Sequence, residues 1–154
     1  MATPANTPAS GGALAALPQW PTRTIAILAT VEGDRPHAIP VSARVRAGDR
    51  RILINLHHTR DSLQRLREHH SVALTILTDD NIALTARGRA NVVQDPMTVA
   101  PEYVAVAIDV ESIDDHRQPG FVVDSGVGRQ CLDEAEREAL GQRLQALRAL
   151  ASPD

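Results

Sequence analysis

The chain has 154 residues, 43% of them hydrophobic, and a formal net charge of -3. That length suits one domain with a true core, and the acidic balance argues against general attraction to nucleic acid or an anionic membrane surface. All 16 basic residues are Arg, which excludes Schiff-base and P-loop lysine chemistry and leaves forked donors suited to phosphate. GC-rich coding accounts for the bias toward Ala and Arg.

In chain order, Met1 to Ser10 reads as a flexible arm, carrying Pro4 and Pro8 among small polar residues. Gly11 to Leu17 reads as a short helix ended by Pro18 and Pro21. Residues 1–17 are thus set apart from a domain over 18–154. Thr24 to Val31 alternates as a strand, Glu32-Gly33-Asp34-Arg35 supplies a turn, and Pro36 to Arg46 reads as one returning strand. After the turn Ala47-Gly48-Asp49-Arg50, Arg51 to Leu56 makes a third strand.

His57-His58 then leads into Thr59 to Glu68, where Leu63 and Leu66 stand at helical spacing and Thr59 or Asp61 is positioned to cap. Ser71 to Thr78 and Ile82 to Val93 form the next hairpin around Asp79-Asp80-Asn81. Beyond Pro96 and Pro101, Tyr103 to Ile113 alternates as a sixth strand, and Asp114 to Gln130 is loop-like. Asp133 with Glu136 makes an acidic capping box for a terminal helix bearing Leu140, Leu144 and Leu147 on one face.

These signals describe a mainly β protein: six antiparallel strands closing into a small barrel, a short helix between strands three and four, and a C-terminal helix. Cys131 is the single cysteine, so no internal disulfide forms. The N-terminus lacks the basic-then-apolar order of a secretory signal, and no apolar run approaches the ~20 residues of a membrane span. A cytoplasmic location follows.

The feature with most chemical content is the junction after the third strand. A helix opening there presents free backbone N–H groups to an anion, with Arg60 and Ser62 beside them. The order of motifs is also informative: Ala29-Thr30 with Gly33, then Pro36-His37-Ala38-Ile39-Pro40-Val41-Ser42, then Arg60-Asp61-Ser62-Leu63-Gln64-Arg65-Leu66 before Val72-Ala73-Leu74, then Gly88-Arg89-Ala90 with Val92-Val93. In this order and spacing, over roughly Thr24 to Val93, the chain resembles the FMN-binding split β-barrel family, which includes pyridoxamine 5′-phosphate oxidase and small flavin reductases.

The resemblance implies a homodimer with FMN in a groove between subunits, acting on a small molecule by two-electron redox chemistry. It implies that Pro40, Val41 and Ser42 line the flavin ring, that Arg60 and Ser62 hold the phosphate, and that His57, His58 and Thr59 make secondary contacts. Many relatives carry a Lys where this chain has Ser62, which places most of the phosphate affinity on Arg60. The substrate-phosphate arginines expected for pyridoxamine phosphate oxidation are missing from the C-terminal region, so that activity is not expected. Two alternatives stay open: a reductase using a deazaflavin, and a non-enzymatic flavin- or haem-binding protein or dimeric interaction module.

Other candidates carry less. The six histidines show no i, i+4 pair and no Cys-x-x-Cys partner, so no metal site is expected. The run Asp114-Asp115-His116-Arg117 is either a loop held by its own ion pairs or a contact reaching over the groove. Arg87 and Arg89 either frame the groove or face solvent, and Gly88 between them marks a bulge or a close backbone approach. Trp20, Tyr103 and Phe121 read as core or dimer anchors rather than flavin stacks. No catalytic residue is identified.

Overall fold

A computed structural model of the chain describes residues 12–151. The arm over Met1 to Ser10 lies outside the described residues. Seven strands form one antiparallel sheet: β1 (Ala26–Glu32), β2 (Arg35–Val41), β3 (Arg44–Arg46), β4 (Arg51–His57), β5 (Ser71–Thr78), β6 (Ile82–Gln94) and β7 (Tyr103–Asp115). Two helices complete the fold, α1 (Asp61–Glu68) and α2 (Glu134–Ala151).

The strand count corrects the six expected. The run Pro36 to Arg46 is two strands, because Val41 pairs with Ala26 of β1 whereas Arg44 pairs with Ile54 of β4. Consequently α1 lies between the fourth and fifth strands. The sheet order is β2-β1-β5-β6-β7-β4-β3, so β2 and β3 are its two edges, yet only Ser42 and Ala43 separate them in sequence. A two-residue link between opposite edges forces the sheet to curl until those edges approach.

Arg44 clasps the closure. It is 1% exposed, and its guanidinium donates to the Thr24 carbonyl oxygen and, at 2.8 Å, to Thr24 Oγ1 at the entry to β1. Burial, and then the Arg129 guanidinium, pushes Arg44 down to about 10, so it remains a cation at neutral pH.

Inside the curl, Leu28, Ile52, Ile54, Leu74, Ile76, Val106 and Ile108 form the main core, into which α1 inserts Leu63 and Leu66. A second core lies on the other face of β3, β4 and β7, where Leu53, Ala105 and Ala107 meet Leu144 and Leu147 of α2. Two-sided burial explains why β4 reads as a nearly continuous apolar run and why Val104 to Ile108 of β7 is buried without alternation.

The helix expected over Gly11 to Leu17 is not seen at residues 12–17, where Ala13 bridges Asp114 and Ala15-Ala16 form a bend. Leu14 N donates to the Ile113 carbonyl oxygen, and Leu17 N to that of Asp49, so the backbone groups a helix would satisfy internally are spent on the barrel. The cap of α2 is as expected: Asp133 Oδ1 accepts from Glu136 N at 2.9 Å. At α1 neither expected cap forms. Arg60 occupies the cap position and no side chain bonds the helix start.

Candidate functional site

The crossing from β2 to β3 and the end of β4 meet around a cavity of about 130 Å³, lined by Pro40, Val41, Ser42, Ala43, Asn55, Leu56, His57, Arg60, Tyr103 and Arg143. Thus five of the eight residues expected from the sequence converge: Pro40, Val41, Ser42, His57 and Arg60. They do so because β2 ends where the curl closes and β4 ends at the same rim. Arg60 is then held by the turn, its N–H donating to the His57 carbonyl oxygen at 2.9 Å.

His58, Thr59 and Ser62 do not line the cavity. His58 stacks on His57 with ring centroids 4.7 Å apart, because the chain has left the strand by then and adjacent rings are no longer on opposite faces. Thr59 Oγ1 bonds His57 Nδ1 at 2.7 Å, which spends the hydroxyl expected to cap α1. Both residues therefore orient His57, and Tyr103 meets the same ring edge-on at 5.4 Å. Ser62 turns inward with Leu63 and Leu66, is 2% exposed, and its Oγ is buried without a hydrogen-bond partner.

Sequence reasoning missed Asn55 and Arg143. Asn55 follows Leu53 on the face of β4 toward α2, is 6% exposed, and has a buried Nδ2 with no acceptor. Arg143 lies over the Tyr103 ring, 4.2 Å from its centroid. Its signal was its place inside the apolar stripe, between Leu140 and Leu147 on the helix face that packs on the sheet. Among the described residues no carboxylate lines this cavity, while two guanidiniums, an imidazole and an unpaired amide donor do. Such a lining recognises an anion with several acceptor oxygens.

Two larger recesses adjoin it. One of about 560 Å³ shares Pro40 and is walled by Ile25, Ile27, Thr75, Leu77 and Val127; Ile27 and Leu77 are exposed apolar side chains on the outer face of β1 and β5. The other, about 470 Å³, shares Ser42 and Arg143 and reaches Cys131 and Arg129. A phosphate-sized cavity opening beside an apolar recess, with Pro40 in both walls, accommodates a molecule that is anionic at one end and flat and apolar at the other.

The remaining candidates are accounted for locally. Asp115 is buried against Arg117 at 2.8 Å, Asp114 pairs with Arg87 at 3.0 Å, and His116 Nε2 bonds Thr85 Oγ1 at 2.8 Å. Asp114 and Asp115 therefore end β7 rather than open a loop, two of these three contacts run to β6, and only Asp115–Arg117 is internal to the run, on a different recess shared with Leu14 and Ile82. Arg87 and Arg89 face solvent while Ala86 and Ala90 are buried. Gly88 marks both a register shift and a close approach to β7.

No family model and no curated protein matches the sequence. Solved structures do match the fold. A provisionally named pyridoxamine 5′-phosphate oxidase from Listeria innocua is similar with a TM-score of 0.52 and 18% identity, over 62% of this chain and 90% of the other. The chain has the split-barrel fold of the pyridoxamine 5′-phosphate oxidase-like proteins. A FAD-binding protein from Mesorhizobium loti is similar at 12% identity and a TM-score of 0.50, over 59% of this chain and 83% of the other. A protein named F420 reductase matches at 15% identity and a TM-score of 0.50, over 59% and 89% of the two chains.

Proposed function

We propose that the protein binds FMN, phosphate in the Arg60 cavity and ring toward the apolar recess beyond Pro40, and that it is a cytoplasmic homodimeric oxidoreductase acting on a small molecule. One observation carries the reading: a cavity holding Arg60, Arg143 and His57 with no carboxylate among the described residues of its lining, and with Asn55 Nδ2 buried and unpaired in its wall. It stands at the rim of a fold shared with proteins named for flavin-type cofactors.

In this reading Arg60 and Arg143 neutralise the phosphate, and Asn55 gives it the donor the protein leaves unused. His57, fixed by Thr59 and Tyr103, supplies one more ring N–H. Pro40 and Val41 present a rigid apolar wall, and Ser42 adds a hydroxyl at the strand crossing. Bound there, the flavin would supply hydride transfer, and the protein would supply orientation and charge. The outer face of β1 and β5, with Ile27 and Leu77 exposed, is the surface a second subunit would cover to complete the groove.

A deazaflavin is the second reading, favoured by the neighbour named F420 reductase. Absorption of the purified protein, followed by titration with FMN and with the deazaflavin, separates the two. With FMN, Arg60→Ala weakens binding by about 1.5–3 kcal/mol, the scale of a hydrogen bond to a charged group. Unchanged affinity in that variant removes Arg60 from the site, and no binding of either cofactor at micromolar concentration ends the redox reading.

A further inference from the structure

A second cationic recess lies along α2, lined by none of the residues of the Arg60 cavity. Its volume is about 540 Å³, and it is lined by Arg23, Arg129 and Arg137, with Cys131 at its edge and Leu140 and Leu144 along its floor. Among the described residues no carboxylate lines it.

Its three cations differ in what they have left to give. Arg23 is engaged by Asp79, and Arg137 by Glu134 at 2.9 Å on the exposed face of the helix. Arg129 has no carboxylate partner among the described residues. One Nη donates to the Thr22 carbonyl oxygen at 2.7 Å, and its Nε is buried without an acceptor. Burial lowers its pKa, the Cys131 sulfur opposes this, and the Arg143 guanidinium adds a smaller lowering. The guanidinium is thus held in an unfavourable field that an anion would relieve.

We infer that this recess binds a small organic carboxylate with an apolar body, its carboxyl group on Arg129 and Arg137 and its hydrocarbon part on Leu140 and Leu144. Arg129 offers a carboxylate the Nη that Thr22 leaves free, a charge-assisted donor. The leucine floor distinguishes that class from a fully polar anion, for which it offers no partner. The volume lies in the ~300–1,000 Å³ range of small-molecule sites. The inference is independent of the flavin reading and stands whatever fills the Arg60 cavity.

Benzoate is the probe, followed on the full chain through the backbone amides of Gly128, Cys131 and Gly141. The expected result is saturable shifts with a Kd on the order of 1 mM or tighter. Arg129→Gln weakens binding about tenfold or more, the loss of one charged hydrogen-bonding partner. Because Arg129 also ties down Thr22, a second variant is needed. A side chain at Gly141 meets open space, so Gly141→Leu preserves the fold, fills the recess and abolishes the shifts. Arg60→Ala leaves benzoate affinity unchanged, so the two sites are scored separately. Any of three results overturns the inference: benzamide or inorganic phosphate binding as tightly as benzoate, binding unaltered by both Arg129→Gln and Gly141→Leu, or no saturable shift.

Discussion

The long β6–β7 pairing carries the back of the barrel, and Gly88 is where its two backbones come closest. A Cβ placed there would stand 2.8 Å from the Asp109 carbonyl carbon and 2.9 Å from Val110 Cα, and closer still to the Asp109 carbonyl oxygen. All three are main-chain atoms, so no rotamer change can relieve the overlap. The register already shifts between Arg87 and Gly88, and the shift lets the strands draw together at a residue with no side chain. Gly88→Ala must therefore push β7 outward. Overpacking costs ~1–3 kcal/mol, and a weakened ladder bond adds about 1. A total near 3 kcal/mol corresponds to a fall of about 6–12 °C in Tm for a domain of this size. Gly141→Ala is the matched control: it meets nothing within 4 Å in the middle of α2, and gains about 0.5–1 kcal/mol from helix propensity. Thermal unfolding followed by circular dichroism measures both. If Gly88→Ala melts within about 1 °C of the parent, the close approach is not a structural constraint and the reasoning fails.

Three further outcomes are expected. Ser62→Ala does not lower stability, because its hydroxyl is buried without a partner and removing it relieves a desolvation cost, and it leaves FMN affinity within ~0.5 kcal/mol, because Ser62 is outside the cavity; a large loss of affinity by titration would place it in the site after all. Arg143→Gln weakens FMN by about 1 kcal/mol or more, an effect to be scored together with Tm to separate it from loosening of α2. At Asp115, hydrogen bonds from Arg117 hold the carboxyl below its usual 3.8. A folded value below the unfolded one stabilises above about pH 4 and is lost as pH falls through the folded value. Asp115→Asn should therefore lower stability at pH 7 by about 1–2 kcal/mol and flatten its acid dependence in denaturant titrations; an unchanged slope would contradict the assignment.

The fold was legible where one residue period dominated. Leu28, Leu74 and Ile76 alternate with less buried neighbours because their strands bury one face, and the turn at Gly33 has the positive φ that glycine favours. The break at Ser42-Ala43 was invisible for a physical reason. Pro40 is a local interruption of the run from Pro36 to Arg46, but what divides it is a change of partner from β1 to β4, a tertiary event that propensity does not specify. The segment from Gly11 to Leu17 failed similarly: its small residues favour a helix by propensity, but Leu17 finds a buried place and its N–H a partner in Asp49.

At the site, the same division between local and distant determinants applies. Arg60 and His57 were readable because strand, turn and helix follow one another in sequence, and the turn alone brings both to one rim. Ser62, two residues on, was misplaced because a helix rotates its side chain about 200° in two positions, carrying it from the rim into the core beside Leu63. A hydroxyl two residues from Arg60 in sequence is thus turned away from the rim that Arg60 lines. Arg143 is the converse, separated from Arg60 by most of the barrel in sequence but lining the same cavity, because Leu144 and Leu147 dock α2 against Leu53 on the outer face of β4. The second guanidinium of the cavity therefore comes from the C-terminal helix, and under the proposed flavin reading phosphate affinity would depend on a packing contact as much as on a motif.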